Sequence, residues 1–285
     1  MSQAPAQITG AATLVEDAQR RLIGSTPEDV LRWGFANFAP GRIALCTSLQ
    51  HEGMVLLDMA HRIDPSVHVF TIDSGRLPQQ TLDLIEEVRE RYKIAIEVIY
   101  PDATEVGDLV TQHGPNLFYN SPELRLSCCD VRKVRPLKRR LTSLDAWISG
   151  LRRDQNAERS AVVPVQLDVV HGGIVKLNPL AGWTEEQVLG YVEQNRLPRN
   201  ALYSRGYTSI GCEPCTRATE PGEDPRAGRW WWEQGARECG IHYELAVDAG
   251  GTTRVSSERV AKAGSRQDPS GVPDDRSPVP ELENA

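Results

Sequence analysis

The chain has 285 residues, enough for one α/β domain with a full hydrophobic core. Its formal net charge of −7 lacks the excess of Lys and Arg that general nucleic-acid binding requires. The sequence contains no apolar run near the roughly 18 residues of a membrane span and no charged-then-apolar leader, so we expect a cytoplasmic protein without nucleic-acid or membrane partners. In that compartment, the six cysteines are expected to bind a metal or take part in catalysis rather than form disulfides.

Predicted helices and strands alternate along the first part of the chain, after a loose polar lead-in over residues 1–10. The helices are predicted over residues 14–23, 27–38, 54–61 and 78–92, and the strands over residues 43–47, 67–72, 94–100 and 145–149. Such alternation predicts a mostly parallel, Rossmann-like α/β sheet with flanking helices and right-handed crossovers. Ligands of such sheets bind at the carboxyl ends of the strands.

Polar turns follow two of the predicted strands. The sequence TSLQHEG begins at Thr47 and includes Ser48, and the sequence DSGR begins at Asp73. A strand, a polar turn and a helix in succession direct backbone N–H groups and a helix N-terminus at a phosphate. TSLQHEG is neither a Walker loop nor G-x-G-x-x-G, and Asp73 is explained equally well as a turn former. These turns therefore indicate an anion site only in general terms.

Four cysteines are arranged as two close pairs: Cys128, Cys129, Cys212 and Cys215. The C-x-x-C pair lies on a tight turn, and the adjacent pair, about eighty residues upstream, supplies two more thiols. Together they form a ligand set suited to an iron–sulfur cluster or to zinc. Cys46 falls inside a predicted buried strand, so we expect a small core residue there, and Cys239 remains outside the ligand set.

Basic side chains accompany these cysteines. A helix is predicted over residues 128–141, kinked or broken at Pro136, and most of its basic run should be a solvated face. Lys133 follows Cys129 by four positions, so its ammonium group is expected beside whatever the cysteines bind. Arg152 follows a predicted strand, where paired arginines suit an oxyanion, and Arg159 lies further along the same loop.

The C-terminal part begins with a β-hairpin predicted over residues 162–177 and a helix that Thr184 caps together with Gln187. Cys239 then stands three residues before His242. Residues 248–285 are rich in Gly, Ser, Pro and charge, and are predicted to be a disordered tail. We expect one domain over residues 1–242, with its core over 27–232 and a flexible catalytic segment over 233–243 that closes over the substrate.

Five motifs occur in an order that chance does not explain: CCDVRKVRPLKRRL, WISGLRRDQ, VKLNPLAGW, GYTSIGCEPCTRATEPGEDPRAGRWWWE and ECGIH. Between about residues 43 and 242 the chain resembles the assimilatory sulfonucleotide reductases, and more narrowly the cluster-bearing adenylyl-sulfate reductases of bacteria. The resemblance implies an adenine-nucleotide α-hydrolase-like fold. It also implies reduction of adenosine 5′-phosphosulfate (APS) to sulfite and AMP in sulfate assimilation, with thioredoxin as electron donor.

Carried over residue by residue, the resemblance implies a nucleophile, a set of cluster ligands and a set of substrate contacts. Cys239 matches the nucleophile. The ligands of a [4Fe-4S] cluster are Cys128, Cys129, Cys212 and Cys215. The substrate-binding positions are Ser48, Lys133, Arg152, Arg159, Arg226, Arg229 and His242. His51 and Gln79 stand where the family has Ala and Glu, so the nucleotide pocket is expected to differ in detail.

The implied chemistry explains why these residue types are needed. A thiolate that attacks the sulfur of a sulfate ester is repelled by the ester's oxygens unless cations neutralise them, and we expect Lys133, Arg226, Arg229 and His242 to do so. Attack by Cys239 releases AMP and leaves a thiosulfonate on the enzyme, from which thioredoxin releases sulfite. The sequence is compatible with a homo-oligomer but does not specify one.

Other functions stay open at this stage. The first is reduction of the 3′-phosphorylated nucleotide (PAPS), because no residue shows what contacts the ribose 3′ position. A tRNA thiolase shares the fold but would need an intact S-G-G-x-D-S loop, which TSLQHEG does not provide. A non-enzymatic interaction module built on a four-cysteine zinc site would be colourless, whereas an iron–sulfur protein is brown.

Overall fold

The computed structural model describes residues 5–256 as a six-stranded sheet with helices on both faces, followed by a small hairpin. The strands are β1 (Ile43–Cys46), β2 (His68–Ile72), β3 (Ile96–Ile99), β4 (Ala146–Ile148), β5 (Val165–Asp168), β6 (Ile174–Leu177), β7 (Leu245–Val247) and β8 (Thr253–Val255). The α-helices are α1 (Pro5–Arg21), α2 (Pro27–Asn37), α3 (His51–Ile63), α4 (Gln79–Tyr92), α5 (Ala103–His113), α6 (Pro122–Cys129), α7 (Arg135–Leu141) and α8 (Glu185–Gln194).

The strand order of the large sheet is β3-β2-β1-β4-β6-β5. All neighbouring pairs are parallel except β5 and β6, which form an antiparallel hairpin. From β1 the chain continues to β2 and β3 toward one edge of the sheet, and from β4 it continues to β5 and β6 toward the other edge. A crevice therefore opens between the carboxyl ends of β1 and β4. The predicted mostly parallel α/β sheet and the predicted hairpin are therefore confirmed.

Alternating side chains of the central strands bury two separate cores. Ile43 and Leu45 of β1 pack with α1, α2, α3, α4 and α8 on one face of the sheet. Ala44 packs on the opposite face with Phe70 and Trp147, which α7 covers. Because both faces are covered, the strands are apolar along nearly their whole length, as expected for a parallel sheet.

Two helices begin at their predicted capping residues, whereas the helix predicted to begin at residue 128 does not, because α6 begins at Pro122 and is capped by Ser121. Thr26 forms a capping box with Asp29 at the start of α2, and Thr184 forms one with Gln187 at the start of α8. The predicted lead-in over residues 1–10 is wrong from Pro5 onward, because α1 begins there. Helix α5 was not predicted from the sequence, although Asp102 caps it.

The helix irregularity predicted at Pro136 lies just before this residue in the structure. Residues Asp130–Val134 form a π-helical turn between α6 and α7, in which the Arg135 N–H donates to the carbonyl of Asp130. Pro136 lacks an N–H to donate to the preceding turn, and the wider turn just before it accommodates this loss. The chain then continues as α7, so Pro136 lies in the first turn of a new helix.

The predicted tail is partly structured. Strands β7 and β8 pair antiparallel, and β8 lies within the region predicted to be disordered from residue 248, so that prediction is wrong as far as residue 256. Residues 257–285, the rest of the predicted tail, lie outside the described residues. Among the helices described, none has the length and apolar character that crossing a membrane would take.

Candidate active site

A cavity of about 260 Å³ lies at the carboxyl ends of β1, β2 and β4. The loop after β1 turns sharply into α3, with Leu49 in the left-handed region at φ 58° and its N–H donating to the Thr47 hydroxyl at 2.9 Å. Gly53 is required at the start of α3, because a Cβ there would lie 2.2 Å from Thr47 Oγ1. This turn places Ser48 on the wall of the cavity.

All the predicted substrate-binding residues and the predicted nucleophile line this one cavity. They are Ser48, Lys133, Arg152, Arg159, Arg226, Arg229, Cys239 and His242. They come from the first loop of the sheet, the π-helical turn, the loop after β4 and the segment before β7, which are separated by up to about two hundred residues in sequence. The fold therefore assembles in space what the motifs predicted separately.

The four paired cysteines converge on a second, much smaller cavity. Each is 7–8% exposed, none forms a disulfide, and all four belong to one buried cluster with Phe118 and Trp230. Arg76, Arg125 and Arg132 line the same cavity. The arrangement thus combines four thiols with several cations around a space enclosed by aromatic rings.

The chemistry of this donor set fits a cluster that carries positive iron. Burial raises the pKa of Cys128, Cys129 and Cys215, so these thiols would ionise only beside a positive centre. Burial also raises the pKa of Cys212, but the Lys133 ammonium and the Ser74 hydroxyl, 3.1 Å from Cys212 Sγ, bring it below its ordinary value. The residues present are therefore compatible with thiolate ligation.

The positions of these thiols do not by themselves identify a metal. Within residues 5–256, no group of three or more His, Cys, Asp or Glu side chains is arranged so that it could hold a metal ion. This finding applies to the four cysteines whichever metal they bind, so the iron–sulfur cluster and the zinc site both stay predictions.

Lys133 and Arg229 connect the two cavities, since both line each of them. Arg229 is 5% exposed, its guanidinium stacks on the Trp230 ring at 4.6 Å, and its buried Nε has no hydrogen-bond partner. Its Nη1 lies 3.4 Å from the Ser209 hydroxyl. In the described part of the chain, neither Lys133 nor Arg229 forms an ion pair with a carboxylate; the cavity's ion pairs involve other arginines.

Three other arginines that line the cavity are paired with carboxylates; we call their part of the lining the paired wall, and the part with Lys133 and Arg229 the unpaired wall. Arg152 contacts Glu52 at 3.1 Å and also Asp154. Arg159 contacts the buried Glu238 at 2.7 Å. These side chains are oriented by the protein itself, so a substrate anion would meet guanidinium groups whose charge is already partly compensated.

Arg226 is the third of these arginines, and it shares Glu238 with Arg159 at 3.6 Å. Glu238 is 3% exposed and precedes Cys239, so its ion pairs dock the segment that carries the predicted nucleophile. Arg125 adds a hydrogen bond of 2.8 Å to the Glu238 carbonyl and an ion pair of 2.8 Å to Glu233. The segment predicted to be mobile, residues 233–243, is thus docked at several points in this structure, and its mobility stays a prediction.

His242 is held from behind the cavity by Lys176, whose Nζ lies 3.2 Å from His242 Nδ1. Burial lowers the pKa of His242 well below its ordinary value of 6.5, and the positive charges of Lys176 and Arg159 lower it further. The direction of this shift favours the neutral imidazole in the substrate-free protein. The place of His242 in the cavity is as expected, and its role as a cation toward the substrate stays a prediction.

Some cavity residues were not predicted from the sequence. Cys46, at the end of β1, is half-buried and packs against the core of Phe70 and Trp147, as expected, but it also lines the cavity. His51 also lines the cavity, stacked on Tyr203 with ring centroids 3.8 Å apart. No ligand spacing marks these residues; their position at the end of a parallel strand is the signal that could have found them.

The DSGR turn after β2 serves mainly the cysteine cavity. Ser74 contacts Cys212, Arg76 lines the cysteine cavity, and the Arg76 carbonyl accepts a hydrogen bond of 2.8 Å from the Glu213 N–H. The neighbouring Ile72 and Leu77 line the larger cavity instead. This turn therefore links the sheet to the C-x-x-C loop.

The fold and this pair of cavities define an α/β enzyme of the nucleotide-binding type with a thiol in its site. The family model of the phosphoadenosine phosphosulfate reductase domain matches residues 42–218. The chain is 46% identical over 202 residues to the adenosine 5′-phosphosulfate reductase of Burkholderia cepacia, covering 70% of this chain and 80% of that protein. It is 45% identical over 201 residues to that of Allochromatium vinosum, covering 70% and 78%.

A solved structure supports the same conclusion. The phosphoadenylyl-sulfate reductase of Candida auris, crystallised as a phosphate complex, has a TM-score of 0.62 at 28% identity and covers 71% of this chain and 96% of that one. The predicted adenine-nucleotide α-hydrolase-like fold is confirmed. The chain belongs to the sulfonucleotide reductase family, whose members are oxidoreductases. The family model ends before Arg226, so it does not include Cys239 or His242.

Proposed function

We propose that this protein reduces adenosine 5′-phosphosulfate to sulfite and AMP, with reduced thioredoxin as electron donor, in the assimilation of sulfate into cysteine. One observation carries the proposal: Cys239 shares a single cavity with Lys133 and Arg229, two cations that have no carboxylate partner among the described residues. Relatives at 46% and 45% identity named adenosine 5′-phosphosulfate reductases favour this nucleotide as the substrate.

The proposed reaction has two steps. The Cys239 thiolate attacks the sulfur of the sulfate group, the bond from sulfur to the bridging phosphate oxygen breaks, and AMP leaves with the electron pair of that bond. A thioredoxin thiolate then attacks Cys239 Sγ, so that sulfite leaves with the electron pair of the S–S bond and a mixed disulfide forms. The second thioredoxin thiol resolves this disulfide, which regenerates the Cys239 thiolate and leaves thioredoxin oxidised.

The cations explain why a thiolate can approach an anionic substrate. Lys133 and Arg229 offer positive charge beside Cys239, and this charge is available to the sulfate oxygens because no carboxylate in the described chain neutralises it. Arg152, Arg159 and Arg226 contribute orientation more than net charge, since each is already paired. Because burial and nearby cations lower the pKa of His242, we assign it a hydrogen bond to the substrate rather than a charge.

We further propose that Cys128, Cys129, Cys212 and Cys215 hold a [4Fe-4S] cluster. When bound, the cluster with its four thiolates would orient the Lys133 ammonium and the Arg229 guanidinium at the border of the larger cavity. Protein purified without oxygen should be brown and contain about four irons per chain. A colourless protein with one zinc per chain would contradict this part of the proposal.

The covalent step is tested by mass spectrometry of the protein mixed with the nucleotide in the absence of thioredoxin. We expect a gain of about 80 Da, the mass of an SO₃ group, located on the peptide that contains Cys239. Parallel samples with the 3′-phosphorylated nucleotide decide between the two substrates, because the relative at 28% identity is a phosphoadenylyl-sulfate reductase. No gain with either nucleotide, in protein whose cluster is intact, would contradict the proposed function.

A further inference from the structure

A network of charged and aromatic side chains borders the cavity, on β4, β5, β6 and the turn between β5 and β6. Its members are Trp147, Asp168, His171 and Lys176. Lys176 is 1% exposed and Asp168 is 3% exposed. Two charges at this depth are costly unless the surroundings satisfy them, and the proposed reaction gives neither of them a role.

The ammonium group of Lys176 is stabilised on two sides. Its Nζ lies 3.9 Å from Asp168 Oδ2 and 4.7 Å from the centre of the Trp147 ring. The same carboxylate oxygen accepts a hydrogen bond of 3.0 Å from Trp147 Nε1 and lies 2.8 Å from His171 Nδ1. Asp168 is therefore held in place by its other partners while it faces the lysine.

The third contact of Lys176 reaches the active-site cavity. Its Nζ lies 3.2 Å from His242 Nδ1, and the His242 ring lies parallel to Trp147, with an interplanar angle of 15° and centroids 5.7 Å apart. Burial lowers the pKa of Lys176, but the Asp168 carboxylate and the Trp147 ring favour its charged form. A charged ammonium group carries three donors and no lone pair, so Nδ1 accepts from it. The single proton of the neutral imidazole is then on Nε2.

We propose that Lys176 is a positioning residue that holds His242 as its Nε2–H tautomer, so that His242 donates one hydrogen bond to an anion in the cavity. A carboxylate behind the ring would do the opposite, because it would accept from Nδ1–H and favour the imidazolium. The inference rests on the proposed function only in taking a sulfonucleotide as that anion. The tautomer and its cause do not depend on it.

The charges around His242 agree with this role. Besides burial, Lys176, Arg159, His171 and Arg226 all lower the pKa of His242. All four therefore act against a second proton on the ring. Together with the contact of Lys176 to Nδ1, this favours a neutral His242 with its proton on Nε2.

The tautomer can be read directly from ¹⁵N-histidine-labelled protein in its purified state, using long-range ¹H–¹⁵N spectra. The His242 signals are assigned by their loss in a His242→Gln variant. We expect a protonated Nε2 and a bare Nδ1 across the neutral range. A proton on Nδ1, or an imidazolium near neutral pH, would overturn the proposal without any further variant.

The cause is tested by Lys176→Met, which removes the donor but keeps an unbranched side chain. We expect both tautomers of His242 to appear and its pKa to rise, because the nearest cation is gone. The double variant Lys176→Met/Asp168→Asn removes the carboxylate that would otherwise be left buried and unpaired, and should show the same two changes. His171→Phe removes a partner of Asp168 but keeps the contact between Lys176 Nζ and His242 Nδ1, so it should leave the His242 tautomer as in the parent.

Activity supplies a second readout. In the double variant we expect kcat/KM for the sulfonucleotide to fall about tenfold, equivalent to the loss of roughly one oriented hydrogen bond. A folded double variant with the parent tautomer and parent kinetics would refute the role of Lys176. The tautomer is measured without turnover, so the inference about Lys176 can hold even if the proposed reaction is wrong.

Discussion

The two walls of the cavity use positive charge differently. On the wall shared with the cysteine cavity, Lys133 and Arg229 face the space without a carboxylate partner in the described chain. On the paired wall, Arg152 and Arg159 are held by Glu52 and Glu238. Both walls contain arginines, so counting cations in the sequence would treat them alike.

The difference separates two physical tasks. A buried guanidinium that is paired is fixed in position but adds little net charge, and removing it leaves its carboxylate unsatisfied. A buried guanidinium without a partner is unfavourable for folding unless a ligand supplies the missing anion. The unpaired wall is therefore where we expect binding and chemistry to depend on charge, and the paired wall is where we expect stability to depend on it.

The largest effect should come from the thiol near the unpaired wall. Cys239→Ser is expected to lower the rate of sulfite release by at least about a thousandfold, because a hydroxyl is a far poorer nucleophile than a thiolate at neutral pH. Cys46→Ser is the matched control, since Cys46 lines the same cavity. It should change the rate by no more than a few fold. Equal losses in the two variants would show that Cys239 has no special role.

Substitutions on the unpaired wall should mainly lower activity, and substitutions on the paired wall should mainly lower stability. Arg229→Met is expected to lower kcat/KM about a hundredfold, close to 2.7 kcal/mol, with little loss of stability to urea. Arg159→Met should destabilise the fold by about 3 kcal/mol, because it removes one partner of a buried ion pair and strands Glu238. Steady-state kinetics and urea unfolding measure both quantities. Similar stability losses in both variants would contradict the distinction between the walls.

The sequence predicted the framework of this site better than its electrostatics. Alternation of apolar runs placed β1, β2 and β4, and capping residues placed the starts of α2 and α8. Both signals are local, so they survive in a single sequence. The motifs also identified which cysteines and cations would meet, and the structure brings them to adjoining cavities.

Pairing between distant residues could not be predicted in the same way. Glu238 is 79 residues from Arg159, and Lys176 is 66 residues from His242. Whether a cation is compensated, or a histidine charged, depends on such contacts and on burial, neither of which has a sequence period. For the same reason, the sequence did not indicate that the pKa of His242 is lowered. The structured residues of the predicted tail, Thr253–Val255, were missed because they pair with Leu245–Val247 through backbone groups rather than through an apolar pattern.

The smallest expected effect is a change of stability at acid pH. It tests whether the ion pairs of the paired wall dock the segment that carries Cys239. Burial raises the pKa of Glu238, but Arg159 and Arg226 lower it below its ordinary value of 4.5. The ion pairs therefore contribute their full stability above pH 4.5, and lose it as the pH falls through the lowered pKa of the folded state. Glu238→Gln should be less stable than the parent near neutral pH. The difference should shrink below pH 4.5 by at most about 1.4 kcal/mol per pH unit.

Comparing the parent with Glu238→Gln isolates this carboxylate, because every other acidic group is present in both proteins. Asp168, whose pKa the nearby Lys176 and His171 also bring below its ordinary value despite burial, therefore cancels in the difference. Urea midpoints measured in steps from neutral to acid pH give the curve. A stability difference that stays constant through the acid range would mean that Glu238 contributes packing and hydrogen bonds but no charge. The paired wall would then owe its order to something other than its ion pairs.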